Sequence, residues 1–135
     1  MALSAERGTP SRDGKTYSRG VAAGVKIFQG GLTCLSATGY ATPGAVATTL
    51  VADGMALATV DNSDGAAGAV TIEIEKGVFR FKNSAAADAI TRAEIGDDCY
   101  IVDDETVAKT DGGTTRSKAG EIVDVDAQGV WVALG

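Results

Sequence analysis

The stretch Val70-Thr-Ile-Glu-Ile-Glu-Lys-Gly-Val-Phe-Arg-Phe-Lys82 decides the fold. Ile72 and Ile74 alternate with Glu73 and Glu75; beyond Lys76-Gly77, Phe79 and Phe81 alternate with Arg80 and Lys82. Alternation with a period of two sends successive side chains to opposite faces of a strand. A two-residue loop at Lys76-Gly77 predicts a hairpin that sets Ile74 opposite Phe79, Ile72 opposite Phe81 and Glu73 opposite Arg80. Each buried apolar side chain stabilises by about 1.5–3 kcal/mol, whereas an exposed ion pair contributes about 0–1. The apolar face therefore governs this segment, and the charges keep the outer face wet.

Working outward, the same alternation recurs in short runs broken by turn residues. Val25 and Ile27 alternate with Lys26 and Phe28, Gly30-Gly31 interrupts, and Leu32–Leu35 resumes. Residues 36–47 are small and turn-rich and read as a loop carrying Tyr40; a strand follows over Met55–Val60, then a turn at Asp61-Asn62-Ser63-Asp64-Gly65. Thr91-Arg-Ala-Glu94 matches a capping box and Gly96 ends the turn, so one or two helical turns are expected there. Cys99–Val102 and Thr106–Ala108 read as short strands. Gly120–Asp126 and Gly129–Leu134 read as a closing hairpin, with Val125 facing Val130 and Val123 facing Val132. No repeat of solenoid length is visible. The expected fold is mainly β: a small β-barrel or sandwich with one short helix and an extended N-terminal arm.

The arm is residues 1–20, where Gly8, Pro10, Gly14 and Gly20 lie among Ser, Thr, Arg and Lys without periodicity; residues 21–135 form the β domain. Charge divides at the same place. The arm has four bases (Arg7, Arg12, Lys15, Arg19) against two acids, and the rest of the chain has eight bases against sixteen acids, giving +2 and −8. An acidic body repels phosphates, so no nucleic-acid partner is expected. Aromatics are only 5% of the chain, and Phe28, Phe79, Phe81, Trp131 and a set of Val, Ile and Leu make the main core volume. Such a thin core favours self-association or a partner surface. Met-Ala-Leu-Ser-Ala-Glu-Arg has no apolar leader, and no stretch is long enough to span a membrane, so synthesis in a cytosol and no membrane partner are expected.

Catalytic chemistry has little to build on. The chain has no histidine, the side chain most used as a base near neutral pH. Cys34 and Cys99 sit in apolar β contexts with no basic neighbour to lower a thiol pKa, and read as inert packing. Asp97-Asp98 and Asp103-Asp104-Glu105 are candidates for a calcium site or a carboxylate pair, but both flank a short strand where acids usually serve turns, and Asp61-Asn62-Ser63-Asp64-Gly65 lacks the spacing of an EF-hand loop. Gly30-Gly31 and Gly112-Gly113 lack the Lys-Ser/Thr of a phosphate-binding loop. No cofactor and no enzymatic activity are expected.

One longer pattern stands out at 88–107: Ile95, Gly96, Tyr100, Asp103, Asp104, Thr106 and Val107 form Ile-Gly-x-x-x-Tyr-x-x-Asp-Asp-x-Thr-Val. After a Gly-rich gap comes Ala-Gly-x-Ile-Val-x-Val-Asp at Ala119–Asp126, and upstream lies Gly-Val-x-Ile-x-x-Gly at 24–30. Together, over roughly Gly24 to Leu134, these resemble the small capsid cement, or head decoration, proteins of tailed phages. The arm at 1–20 and the loop at 36–47 have no counterpart in that resemblance. It implies a virion structural protein on the outer capsid surface, a homotrimer that clamps neighbouring major capsid subunits. Arg7, Arg12, Lys15, Tyr17, Arg19 and Tyr40 are the candidate capsid contacts. The competing expectations are a small β-barrel module that recognises a glycan or another surface ligand through Tyr17, Tyr40, Tyr100 and Trp131, and an enzyme built on Asp103, Asp104 or Glu105.

Overall fold

The structure, a computed structural model, describes Ala2 and residues 4–135; Met1 and Leu3 of the arm lie outside the described residues. The protein is mainly β. Its strands are β1 (Thr16–Gly20), β2 (Lys26–Ile27), β3 (Leu32–Leu35), β4 (Ala41–Pro43), β5 (Val51–Ala56), β6 (Val60–Asp61), β7 (Thr71–Glu75), β8 (Gly77–Phe81), β9 (Asp98–Ile101), β10 (Val107–Ala108), β11 (Lys118–Asp126) and β12 (Gly129–Leu134). They form two five-stranded antiparallel sheets, β1-β7-β5-β3-β4 and β10-β9-β11-β12-β8, and a small sheet of β2 and β6. The loop expected at 36–47 thus contains β4, and the strand expected at Met55–Val60 is the end of β5 and the start of β6.

The hairpin expected at 70–82 does not form. Only Lys76 separates β7 from β8, too little chain to turn back, and the two strands run on into different sheets. β7 pairs with β1 and β5, while β8 pairs with β12. Ile72 and Ile74 lie in one buried cluster, with Val21, Ile27, Ala41 and Ala56, and Phe81 lies in the other, which joins residues of the second sheet to Leu32 and Cys34 of β3, with Phe79 packed against it. Inward positions change from even to odd at Lys76 as the chain passes from one buried cluster to the other. Glu73 faces Ser18 and Arg80 faces Trp131, so the expected Glu73–Arg80 pair is absent.

Elsewhere the pattern survives with local changes. Val125 pairs with Val130 as expected, but a bulge between Ile122 and Asp124 moves Val123 outward (44% exposed) and gives Val132 to Ile122. The expected helix is two single 3-10 turns, Ala86–Asp88 and Arg92–Glu94, with no α-helix among the described residues. The second turn carries the capping box: Thr91 Oγ1 accepts from Ala93 N–H and the Glu94 carboxylate accepts from Thr91 N–H. Of the expected core aromatics, Phe81 is buried, Phe79 and Trp131 are half-buried, and Phe28 is 54% exposed beside Lys26. Parallel bridges tie Val21 to Ala41 and Lys82 to Thr106, drawing the two ends of each large sheet together. No ladder closes either sheet into a barrel among the described residues.

The two large sheets are the same unit built twice. Numbered within each sheet in chain order, both run 1-5-4-2-3. A shift of 66 residues carries the pairs Cys34–Ala52, Thr33–Gly54 and Leu32–Met55 onto Tyr100–Lys118, Cys99–Gly120 and Asp98–Glu121, including a one-residue bulge at Asp53 and Ala119. The same shift carries Leu35–Ala41 onto Ile101–Val107. Continuing through the fifth strand, Ile74–Tyr17 corresponds to Val132–Phe79 and Ile72–Arg19 to Val130–Phe81. Across 32–56 and 98–122 only Thr48/Thr114, Thr49/Thr115 and Gly54/Gly120 are identical, so the duplication lives in backbone pairing.

Candidate functional site

The residues expected to form an arm divide at Thr16. Residues 4–15 form no strand, whereas Thr16–Gly20 is the edge strand β1, paired to β7 from Thr16↔Glu75 to Gly20↔Thr71. Period two turns Tyr17 and Arg19 inward, opposite Ile74 and Ile72, and leaves Thr16 and Ser18 towards solvent. Arg19 meets Asp53, the bulged residue of β5. Its Nε donates to Asp53 Oδ2 at 2.7 Å and its Nη2 to Oδ1 at 3.0 Å, a bidentate ion pair. Lys76, at the crossing between sheets, donates from Nζ to Asp53 Oδ1 and to Asp53 O, both at 2.9 Å.

The Tyr17 ring lies among these cations. Arg19 Cζ is 5.0 Å from its centroid, Lys76 Nζ 5.6 Å and Arg12 Cζ 5.9 Å, all within cation–π range. Lys15 Nζ stands 3.4 Å from Glu75 Oε1. The Asp53 side chain is 4% exposed, and those of Arg19 and Lys76 are 27% and 25% exposed, so the anion is sealed in while both cations reach the surface. Burial pushes the Asp53 carboxyl up, but hydrogen bonds from Arg19 and Lys76 and their charges more than offset this and hold it below its ordinary value. The same hydrogen bond to Asp53 raises the Arg19 guanidinium.

A depressed folded-state pKa stabilises the protein above the ordinary carboxyl value of about 3.9, and this stabilisation is lost as pH falls through the lowered one. Thermal unfolding followed from about pH 5 to about pH 2 is therefore expected to show a falling Tm, with a shallower fall in Asp53→Asn. An unchanged slope would remove Asp53 from the acid response.

The structure thus brings together Arg12, Lys15, Tyr17 and Arg19, and leaves out Arg7 and Tyr40. Arg7 Nη1 donates to Thr9 Oγ1 at 2.8 Å on the exposed segment. The Tyr40 ring lies on Gly20 and Gly68, with atoms 3.4 and 3.3 Å from where their Cβ atoms would stand, and is half-buried. Tyr40 is a packing residue of the first sheet. No protein-family model, curated protein or solved structure matches this chain.

Sequence reasoning missed Asp53, Lys76 and Asn62. Asn62, 3% exposed in the turn after β6, donates from Nδ2 to Val21 O, Ala22 O and Ala66 O at 3.0–3.3 Å. A lone acid inside the apolar run Val51–Ala56 was the available signal for Asp53. The acidic candidates are dispersed: Asp98 pairs with Lys118 at 3.3 Å, Glu105 with Lys82 at 2.9 Å, and Asp103 Oδ1 accepts from Glu105 N–H. Burial, then the Asp103 charge, raises the Asp104 carboxyl. Among the described residues no three His, Cys, Asp or Glu side chains cluster to hold a metal ion. Cys34 and Cys99 are buried free thiols whose pKa values burial pushes up to about 12, so neither is poised as a nucleophile. No helix among the described residues is long and apolar enough to cross a membrane.

Proposed function

We propose that this protein is a virion structural protein that decorates the outer surface of a phage capsid and clamps neighbouring major capsid subunits, without catalytic activity. The observation that carries the reading is an exposed segment, residues 4–15, leading directly into an edge strand whose inward side chains form a cation-rich platform on an otherwise acidic chain. The resemblance at 88–107 and 119–126 supports it independently. A clip that binds only the assembled shell stabilises that shell by linkage, and many copies multiply a modest contact energy. Self-association as a trimer belongs to the same proposal. The glycan-binding reading has less support, because Tyr40, Tyr100 and Trp131 are half-buried rather than displayed, and the ring of Tyr17 lies among the cations of Arg12, Arg19 and Lys76.

Co-sedimentation with phage heads assembled without the protein tests the proposal. Full-length protein is expected to bind saturably, and deletion of residues 2–15, which leaves β1 intact, is expected to weaken binding about tenfold or more. Failure of the full-length protein to bind such heads would overturn the capsid reading.

A further inference from the structure

The duplicated fold offers an internal control for the charges gathered on buried Asp53. Extending the register of each unit by one residue makes Lys76 equivalent to Leu134, while Arg19 corresponds to Phe81, Asp53 to Ala119 and Tyr17 to Phe79. In the second unit Phe81, Ala119 and Leu134 are 5%, 4% and 3% exposed members of the apolar core, with Phe79 packed against them. The same backbone, in the same chain, thus fills these positions with hydrocarbon. The backbone of the unit therefore accommodates apolar residues at these positions, and replacing a buried ion pair by apolar residues is often neutral or stabilising. Charge kept where the fold does not need it points to use.

The geometry indicates the use. Asp53 takes Nε and Nη2 of Arg19 and two protons of Lys76 Nζ, which fixes both cations in place. Among the described residues, Arg19 Nη1 and the remaining Lys76 proton have no partner, and both cations lie within 6 Å of the Tyr17 ring centroid. Arg12 and Lys15 add two cations at the rim, Lys15 being 65% exposed and paired with Glu75. Fixed donors beside an aromatic face suit a carboxylate and the carbon chain that carries it. A long polyphosphate fits less well, since the patch is small and residues 21–135 carry a charge of −8 that would repel the rest of the strand.

We propose that the Tyr17 platform is a pre-organised binding site for an acidic segment of a partner protein, with Arg19 and Lys76 receiving a carboxylate and Asp53 acting as the positioning residue. That the segment belongs to a capsid subunit rests on the function proposed above; the site itself is tested without a capsid.

The test is fluorescence anisotropy of a labelled octaglutamate peptide with the full chain, and of labelled oligothymidylate of matching charge. Octaglutamate is expected to bind saturably and to be released by salt. The decisive variant gives the first unit the second unit's residues, Arg19→Phe, Asp53→Ala and Lys76→Leu together. It is expected to melt at the same or a higher temperature and to lose binding by about tenfold or more. Should that variant not fold, the exposed pair Arg12→Gln and Lys15→Gln, expected to weaken binding about threefold without moving Tm, decides instead. Wild-type affinity in whichever of these decides, or binding of oligothymidylate but not octaglutamate, would overturn the site. Binding to heads with no binding to octaglutamate removes the site and keeps the capsid function; the reverse keeps the site and removes the capsid function.

Discussion

Gly120→Ala is expected to destabilise the protein by about 3 kcal/mol and to lower Tm by roughly 10 °C, among the largest effects available from one methyl group. A Cβ at Gly120 would stand 2.1 Å from Ala133 O and 3.1 Å from both Ala133 C and Val132 Cγ1. The nearest obstacle is backbone of the paired strand, which cannot rotate away, so β12 has to shift relative to β11. Gly54 occupies the equivalent position beside the equivalent bulge, and its Cβ would lie 2.6 Å from Glu75 O. Gly54→Ala should therefore act in the same direction with a smaller effect. Thermal denaturation of both variants checks the pair. A normal Tm for Gly120→Ala would contradict the close approach of the fourth and fifth strands, and with it one basis for equating the two units.

Asn62→Asp is expected to cost about 3–5 kcal/mol at neutral pH, more than the roughly 2–3 kcal/mol of Asn62→Ala. Nδ2 is surrounded by three carbonyl oxygens, of Val21, Ala22 and Ala66, and it reinforces the backbone bonds from Gly24 N–H to Asn62 O, Asn62 N–H to Val25 O and Gly68 N–H to Val21 O that tie the turn after β6 to the chain following β1. Alanine takes the side-chain donor from Ala22 O, while Val21 O and Ala66 O keep the backbone N–H groups of Gly68 and Ala69. Aspartate puts a buried anion against the three carbonyls, and its folded-state pKa must rise. The cost then grows as pH climbs through the ordinary carboxyl value of about 3.9 and shrinks in acid, where the protonated carboxyl can donate. Denaturant unfolding at about pH 7 and about pH 4 separates the two variants. If Asn62→Asp were no worse than Asn62→Ala at the higher pH, the carbonyl cage would not be what holds this turn.

What the sequence disclosed and what it concealed have a common physical origin. Alternation reports which side of a strand is buried, so Ile72, Ile74, Phe79 and Phe81 were all legible as inward-facing or core-packed residues. It says nothing about which strand lies alongside, so a strand that changes sheets at Lys76 was read as a hairpin. The last two strands were legible in register near their turn, where Val125 meets Val130, but the bulge that expels Val123 has no sequence marker. The duplication was hidden because hydrogen-bond register constrains backbone, and Gly54 and Gly120 are among the few side-chain positions it fixes. At the site, Arg12, Lys15, Tyr17 and Arg19 were visible as local charge and aromaticity. Asp53 lies 34 residues beyond Arg19, and Lys76 a further 23, so the organising centre required the fold.

The unbroken run from β7 through Lys76 into β8 also sets how the protein carries load. Thr16 and Glu75 pair at the end of the ladder where residues 4–15 enter β1 and where β7 leaves for β8, with Lys76 N–H donating to Lys15 O just beyond. Tension between that segment and β8 therefore falls first on this end and opens the five pairings one after another towards Gly20↔Thr71. A tether held this way peels from beside Lys76 and releases β1 before the ladder of β8 with β12 is disturbed.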